Sequence, residues 1–368
     1  MRRIQPELTD ELSAQCTDPT KVGMAKPFLV KTFRQLVEHT ARLSYKNKDH
    51  LLFYRGQTQD YINKANSSAF YPSIYRGDYL PGRELVHRFN VLEGAGKSLV
   101  QVFEREKVEG YKELKRRKAV QWSILQHYEV CATPYLDFTQ SLRVACSFAM
   151  LDNSNPYAYV YVFGLPYLTN RISVNSEHDL VNIRLLSICP PTALRPYFQE
   201  GYLAGTDDIT TSYEVKTELD FNNRLIAKFL IPNQLSFWES GFSMIPRASL
   251  YPDNDPIFDL CEPVRDKVAR ELLEGDPGEF LKELSAIEVR LKAIKGVKTH
   301  RITGVRESGR MLKDHGTIEI GMDSQIVKLR NFRNALIHTP EKVTSKQLEF
   351  YQSILERIQA DIQHDAGK

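Results

Sequence analysis

The sequence predicts an α+β domain with a mixed sheet over residues 1–262, followed by an all-α helical bundle over residues 263–368. Three observations carry this division. Strand-like and helix-like runs mix up to about residue 262. A turn-rich break stands at Tyr251-Pro252-Asp253-Asn254-Asp255-Pro256. Strand signals vanish from about residue 264 onward.

Taken in chain order, Phe28 to Leu43 reads as a helix and Leu51 to Tyr54 as a short apolar strand. Helical spacing returns over Glu84 to Leu92 and Tyr111 to Tyr128. Tyr157 to Phe163 then alternates Tyr, Ala and Val densely, as a strand in a sheet does, and Leu225 to Ile231 is a third strand. In the tail, Glu279 to Ile294 and Ser324 to Ile337 carry apolar residues at helical spacing, and Pro340 stops the second of these. The last helix opens on the capping-box pattern Thr344-x-x-Gln347. It continues with Leu348, Tyr351, Leu355, Ile358 and Ile362 on one stripe.

Composition narrows the function classes. With 368 residues, 42% hydrophobic and 26% charged, the chain has room for two ordinary cores. A net charge of +3 permits contact with phosphates without demanding it. The five cysteines are scattered and form no Cys-x-x-Cys pair, so neither a disulfide framework nor a zinc site is expected. The basic start, Met1-Arg2-Arg3, has no apolar stretch behind it, and no window approaches a bilayer span. The expectation is a cytoplasmic protein with no membrane partner and no metal.

The chemistry-bearing residues fall into two constellations. The first begins at Phe53-Tyr54-Arg55-Gly56-Gln57. It puts an arginine at the end of an apolar strand, suited to bidentate contact with phosphate or carboxylate, before a glycine that admits close approach. Downstream come Pro72-Ser73-Ile74-Tyr75-Arg76, then Gln126-His127-Tyr128, then Thr133-Pro134-Tyr135-Leu136-Asp137-Phe138-Thr139, with Ala145, Phe148 and Ala149 behind. Later stand Arg195-x-x-x-Gln199-x-Gly201 and Ser249-Leu250-Tyr251-Pro252-Asp253. Together, over about residues 28–256, these motifs resemble the FRG domain family. Glu129 departs from that pattern, replacing the glycine that follows Gln-His-Tyr, and an extra residue precedes Thr133.

The layout is similar to that of ADP-ribosyltransferases of the Arg–Ser–Glu type. That resemblance implies NAD as substrate, with Tyr54, Arg55, Gly56, Gln57 and Thr139 binding it and Arg55 holding its phosphates. It also implies a catalytic set of Arg55, His127, Asp137, Thr139 and Gln199. A carboxylate would stabilise the oxocarbenium-like centre left by nicotinamide. Glu-x-Glu is missing from any late strand, so Asp137, Gln199, Glu200 and Glu239 are the candidates for that place. The reading requires Arg55, Thr139 and a carboxylate to converge on one cleft. The plainer alternatives are that His127 is a structural hydrogen-bonding residue and that Asp137 caps the following helix. The run Lys115-Arg116-Arg117-Lys118 is a solvated helix face on one reading and a phosphate contact on the other.

The second constellation is Arg330, Arg333, Asn334 and His338 within Leu329 to His338, where Asn334 and His338 share a helix face. It resembles the Arg-Asn-x-x-x-His motif of the HEPN family. The resemblance implies a homodimer through the helical tail, and either a dimerisation module or a ribonuclease using histidine and arginine at a phosphodiester. Proteins joining these two domain types look like toxin or phage-defence effectors held by an inhibitory partner. The leading expectation is an ADP-ribosyltransferase-like effector acting on a macromolecule, nucleic acid rather than protein. The alternatives are a dimeric HEPN ribonuclease with the FRG domain as sensor, and a non-catalytic nucleotide-binding regulator.

Overall fold

A computed structural model describes residues 1–77, 82–209, 213 and 215–274, together with positions 329, 332, 350, 351, 353 and 354. The chain divides into two compact units, Met1–Tyr75 with Gly82–Asp266, and Arg76–Pro81 with Lys267–Lys368. No helix among the described residues is long and apolar enough to cross a membrane.

The described part of the first unit is built on one eight-stranded mixed sheet. In chain order its strands are β1 Phe28–Leu29, β2 Leu51–Gln57, β3 Leu136–Thr139, β4 Tyr157–Leu165, β5 Ile172–Asn175, β6 Leu180–Arg184, β7 Gly201–Thr206 and β8 Leu225–Pro232. They lie in the order β1-β8-β4-β2-β3-β7-β6-β5. The edge pair β1–β8 is parallel and the other neighbours are antiparallel. The three sequence-predicted strands are the adjoining trio β8, β4 and β2. Their β-branched and aromatic residues suit a strand covered on both faces.

Elsewhere the structure corrects the sequence reading. The helix expected from Phe28 starts at Phe33, because Phe28 and Leu29 pair with Phe229 and Leu230 as β1. After the short helix α1, Asp10–Gln15, Thr32 caps helix α2, Phe33–Lys46, by accepting from the Gln35 amide at 3.3 Å. The Glu84–Leu92 helix is one part of α3, Gly82–Arg105. Tyr111 to Tyr128 is two helices, α4 (Tyr111–Arg116) and α5 (Lys118–His127), parted by the extended backbone of Arg117. The helix Pro256–Glu274 runs unbroken through the expected boundary at residue 262, with Pro263 inside it. In the tail, Phe332 and Tyr351 stack with ring centroids 4.1 Å apart.

One face of the sheet is packed with aromatic rings. Phe138 lies 5.1 Å from Phe163 and 5.2 Å from Phe221, and Phe70 closes on Phe163 at 5.0 Å. Such buried rings contribute about 1.5–3 kcal/mol each relative to exposure. On the other face lies helix α6, Leu142–Met150, capped by Ser141, whose hydroxyl accepts from the Val144 amide. Gly56 in β2 meets this helix backbone to backbone. A methyl at Gly56 would run into the carbonyl oxygen of Ala145 and lie 2.8 Å from the Ala149 nitrogen. The close approach that glycine permits here is to the protein itself.

Arg224, fully buried in the turn just before β8, donates to the Gly164 carbonyl (2.8 Å) and the Arg2 carbonyl (3.2 Å), with Nη1 3.1 Å from His178 Nδ1. Burial, then Arg2, lowers its guanidinium to about 10. Burial, then the same guanidinium, also lowers the pKa of His50 and of His178.

Two predictions follow from this packing. Gly56→Ala forces α6 off the sheet and costs about 3 kcal/mol or more, read as a fall in the urea midpoint; an unchanged midpoint contradicts the contact. The histidines are the second case. A histidine whose folded pKa is lowered leaves the unfolded chain binding more protons, so stability rises with pH through the interval between the two values. Stability is therefore expected to be full above about pH 6.5 and to fall as pH drops below it. His178→Asn with His50→Gln should flatten that part of the pH–stability curve.

Candidate functional site

Four of the sequence motifs meet at Asp137, the second residue of β3. Its backbone carbonyl accepts from Arg55 Nη1 at 2.7 Å. Its carboxylate Oδ2 accepts from Gln126 Nε2 at 2.6 Å, and Oδ1 lies 3.7 Å from His127 Nδ1. The Asp137 side chain keeps 41% of its surface exposed while the imidazole keeps 3%, so the carboxylate is the accessible member of the pair.

The orientation of this carboxylate is set from behind. The Thr133 hydroxyl donates to Gln126 Oε1, which leaves Nε2 as the end of the amide that faces Asp137. Thr133 in turn donates its backbone N–H to Ser73 Oγ at 3.0 Å and accepts from the Ile74 amide at 3.1 Å. The short motif around Ser73 thus acts on Asp137 through Thr133 and Gln126.

His127 ends α5. Its Nε2 is sealed from solvent and has no hydrogen-bond partner among the described residues. Space for the ring comes from Gly201, where a Cβ would sit 3.2 Å from His127 Cε1 and 2.7 Å from Leu185 Cδ1. Two residues past His127, Glu129 adopts φ 55°, the left-handed conformation that glycine occupies without strain. The departure seen in the sequence therefore falls where the backbone favours glycine.

The expected shared cleft is corrected by strand register. Tyr54 lies directly opposite Thr139, so strand alternation sends the Arg55 side chain to the face opposite that of Thr139. Arg55 and Gln57 share the aromatic face, where Gln57 Oε1 is buried with no hydrogen-bond partner among the described residues. Asp137, Thr139 and Tyr54 share the other. Tyr54 is half-buried beside Thr40, and burial raises its hydroxyl pKa. Gly56 is covered by α6. The five residues expected to bind NAD are therefore not gathered on one side.

Other assignments also change. Thr139 is buried and accepts from the Ser141 amide at 3.1 Å, shaping the turn into α6. Ser141 caps that helix, the task suggested for Asp137. Gln199 donates to the Leu250 carbonyl at 2.8 Å, tying helix α7 (Arg195–Phe198) to helix α8 (Arg247–Leu250). Glu200 and Glu239 are exposed. In the basic run, Lys115 pairs with Glu104, Arg117 with Glu113 and Lys118 with Glu93, which makes it a solvated, charge-matched face. Arg330, Arg333, Asn334 and His338 lie outside the described residues. No group of three or more His, Cys, Asp or Glu side chains among the described residues is placed to hold a metal ion.

Sequence reasoning gave Gln126 and Thr133 as parts of motifs without seeing their task. A Thr that fixes a Gln that fixes an Asp needs residues 126, 133 and 137 folded onto one another, and linear spacing carries no signal for that.

Residues 50–157 match the family model of the FRG domain. Comparison with curated proteins and with solved structures gives no match. The matched segment contains Arg55, Ser73, Gln126, His127, Thr133 and Asp137, the whole network that converges on the carboxylate.

Glu129→Gly is expected to relieve the left-handed strain and raise stability by up to about 1 kcal/mol. Urea denaturation of the two proteins measures it, and a destabilised glycine variant contradicts the strain assignment.

Proposed function

We propose that the chain is an ADP-ribosyltransferase-like effector that takes NAD as substrate and modifies a macromolecule, nucleic acid rather than protein, with Asp137 as its working carboxylate and without the shared Arg55–Thr139 cleft of the Arg–Ser–Glu layout, since Arg55 lies on the opposite face of the sheet. The observation that carries this reading is the held, half-exposed carboxylate at Asp137 inside the FRG segment. Loss of nicotinamide breaks the bond to ribose C1′ and leaves positive charge there. A fixed carboxylate against the ribose hydroxyls lowers the energy of that charge, and it needs no reorganisation at the moment of reaction. The acceptor nucleophile then bonds to C1′ and gives up its proton.

In this reading Gln126 and His127 orient the carboxylate, and Arg55 is a positioning residue that fixes the backbone of β3. Toxin or phage-defence action under an inhibitory partner, and pairing of two chains through the tail, belong to the same proposal. The opposed faces of Arg55 and Thr139 favour a second reading, in which the site binds a nucleotide without turning it over.

Full-length protein incubated with labelled NAD and total cellular RNA, DNA and protein separates these. Transfer of label, reduced at least about 100-fold in Asp137→Asn with NAD still bound, is the expected outcome. NAD binding with no transfer by the unaltered chain supports the regulator. RNA cleavage without NAD, lost in His338→Ala and kept in Asp137→Asn, replaces the proposal with the ribonuclease.

A further inference from the structure

The motif Arg195-x-x-x-Gln199-x-Gly201 is only partly accounted for, since Gly201 makes room for His127 and Gln199 ties two helices together. Arg195 is 7% exposed, yet its guanidinium makes no hydrogen bond or ion pair with the described residues, and Nε is sealed without a partner. Three aromatic rings hold it instead. Its Cζ lies 5.3 Å from the Tyr128 ring centroid, 5.0 Å from Tyr251 and 4.6 Å from Phe258.

This packing has a consequence for hydrogen bonding. Rings that engage a guanidinium as a cation leave its N–H donors available to an oxyanion. The acid bonded to the Arg195 backbone amide does not take them. Asp255 is fully buried and already accepts from the Tyr128 hydroxyl (2.9 Å) and from the backbone amides of Leu194, Arg195 and Ile257 (3.1, 2.9 and 3.0 Å). A nearly buried guanidinium with unused donors is costly unless an anion completes it.

Two further guanidinia flank the same rings, Arg247 at 5.5 Å from Tyr251 and Arg265 at 5.0 Å from Phe258. Each has its own partner, Asp152 for Arg247 and the Tyr128 carbonyl for Arg265. Three cations alternating with two rings complement a multiply charged anion better than a lone carboxylate. Tyr128 also joins this cluster to the candidate site, its ring standing edge-on to that of His127 with centroids 5.7 Å apart.

We infer that Arg195 is the phosphate-binding residue of this protein, a guanidinium held by the rings of Tyr128, Tyr251 and Phe258 that receives a phosphate or pyrophosphate of the substrate. The inference rests on the proposed function for the identity of that substrate and on the geometry alone for the phosphate. The phosphate belongs either to a nucleotide such as NAD or to a nucleic-acid strand.

The test uses full-length protein and calorimetric titration with inorganic pyrophosphate, ADP-ribose, adenosine and a short single-stranded RNA. Pyrophosphate and ADP-ribose should bind and adenosine should not. Arg195→Met, which keeps the ring packing and removes charge and donors, should weaken both by about 10- to 100-fold. Arg195→Lys should weaken them by about tenfold, because a point charge lacks the planar fork. Arg42→Met, at an exposed arginine paired with Glu11 and no part of the cluster, should stay within about threefold. If the methionine variant fails to fold, the lysine variant decides.

Arg195-dependent binding of ADP-ribose without RNA assigns the phosphate to a nucleotide; the reverse assigns it to a strand. Either supports the inference. Failure of the unaltered chain to bind pyrophosphate and ADP-ribose as well as RNA, or full affinity in the folded variants, overturns it. Absence of label transfer alongside Arg195-dependent pyrophosphate binding removes the transferase reading and leaves this inference standing. Transfer with an unchanged KM for both NAD and the nucleic-acid acceptor in Arg195→Met does the opposite.

Discussion

The arrangement of the first unit depends on one place where two backbones touch, Gly56 of β2 against Ala145 and Ala149 of α6. A strand and a helix normally stand apart by the thickness of their side chains. Here the strand contributes no side chain and the helix only methyl groups, so α6 sits directly on the sheet. That fixes the turn between β3 and α6, which Thr139 and Ser141 hold through the Ser141 amide and the helix cap. With the turn fixed, Asp137 has one position available, and the Gln126–His127 end of α5 closes on it.

Around Asp137 the interactions form a series: Ser73 holds Thr133, Thr133 sets Gln126, and Gln126 sets the carboxylate. Arg55 reaches the same residue from the other side through its carbonyl. Members of such a network share partners, so their contributions do not add and are separable only by paired substitutions. The arrangement gathers residues far apart in the chain onto one carboxylate. Arginine, serine, threonine, glutamine and aspartate are successive parts of one support.

Much of the sheet was legible in the sequence where a strand is long and rich in β-branched and aromatic residues, as in β2, β4 and β8. The strands β3, β5, β6 and β7 were not. They are short and include Asp, Asn or Gly, residues whose local preference is for turns, and they are strands because pairing with neighbouring strands completes their ladders, on both sides for β3, β6 and β7 and on one for the edge strand β5. Phe28 and Leu29 follow the same rule, since pairing with β8 overrides a helical pattern. At the site, spacing identified the residues but not the faces they occupy. Whether Arg55 and Thr139 point the same way depends on one register pair, Tyr54 with Thr139, which a linear motif does not contain. The aromatic surroundings of Arg195 were invisible for a similar reason: its rings come from residues 128, 251 and 258.

The strand order has a consequence for how the chain acquires its structure. Phe28 in β1 pairs with Phe229 in β8, and β8 also supplies one neighbour of β4, which in turn flanks β2. No local hairpin can close this half of the sheet, because its partners are far apart in the chain. As a chain is synthesised, β4 has an incomplete hydrogen-bonding edge until residue 232 has left the ribosome. Folding of this unit is therefore a late and slow event dominated by long-range pairing. A chain interrupted before β8 would expose the edge of β4, a surface that invites chaperones, proteases or other unfinished copies.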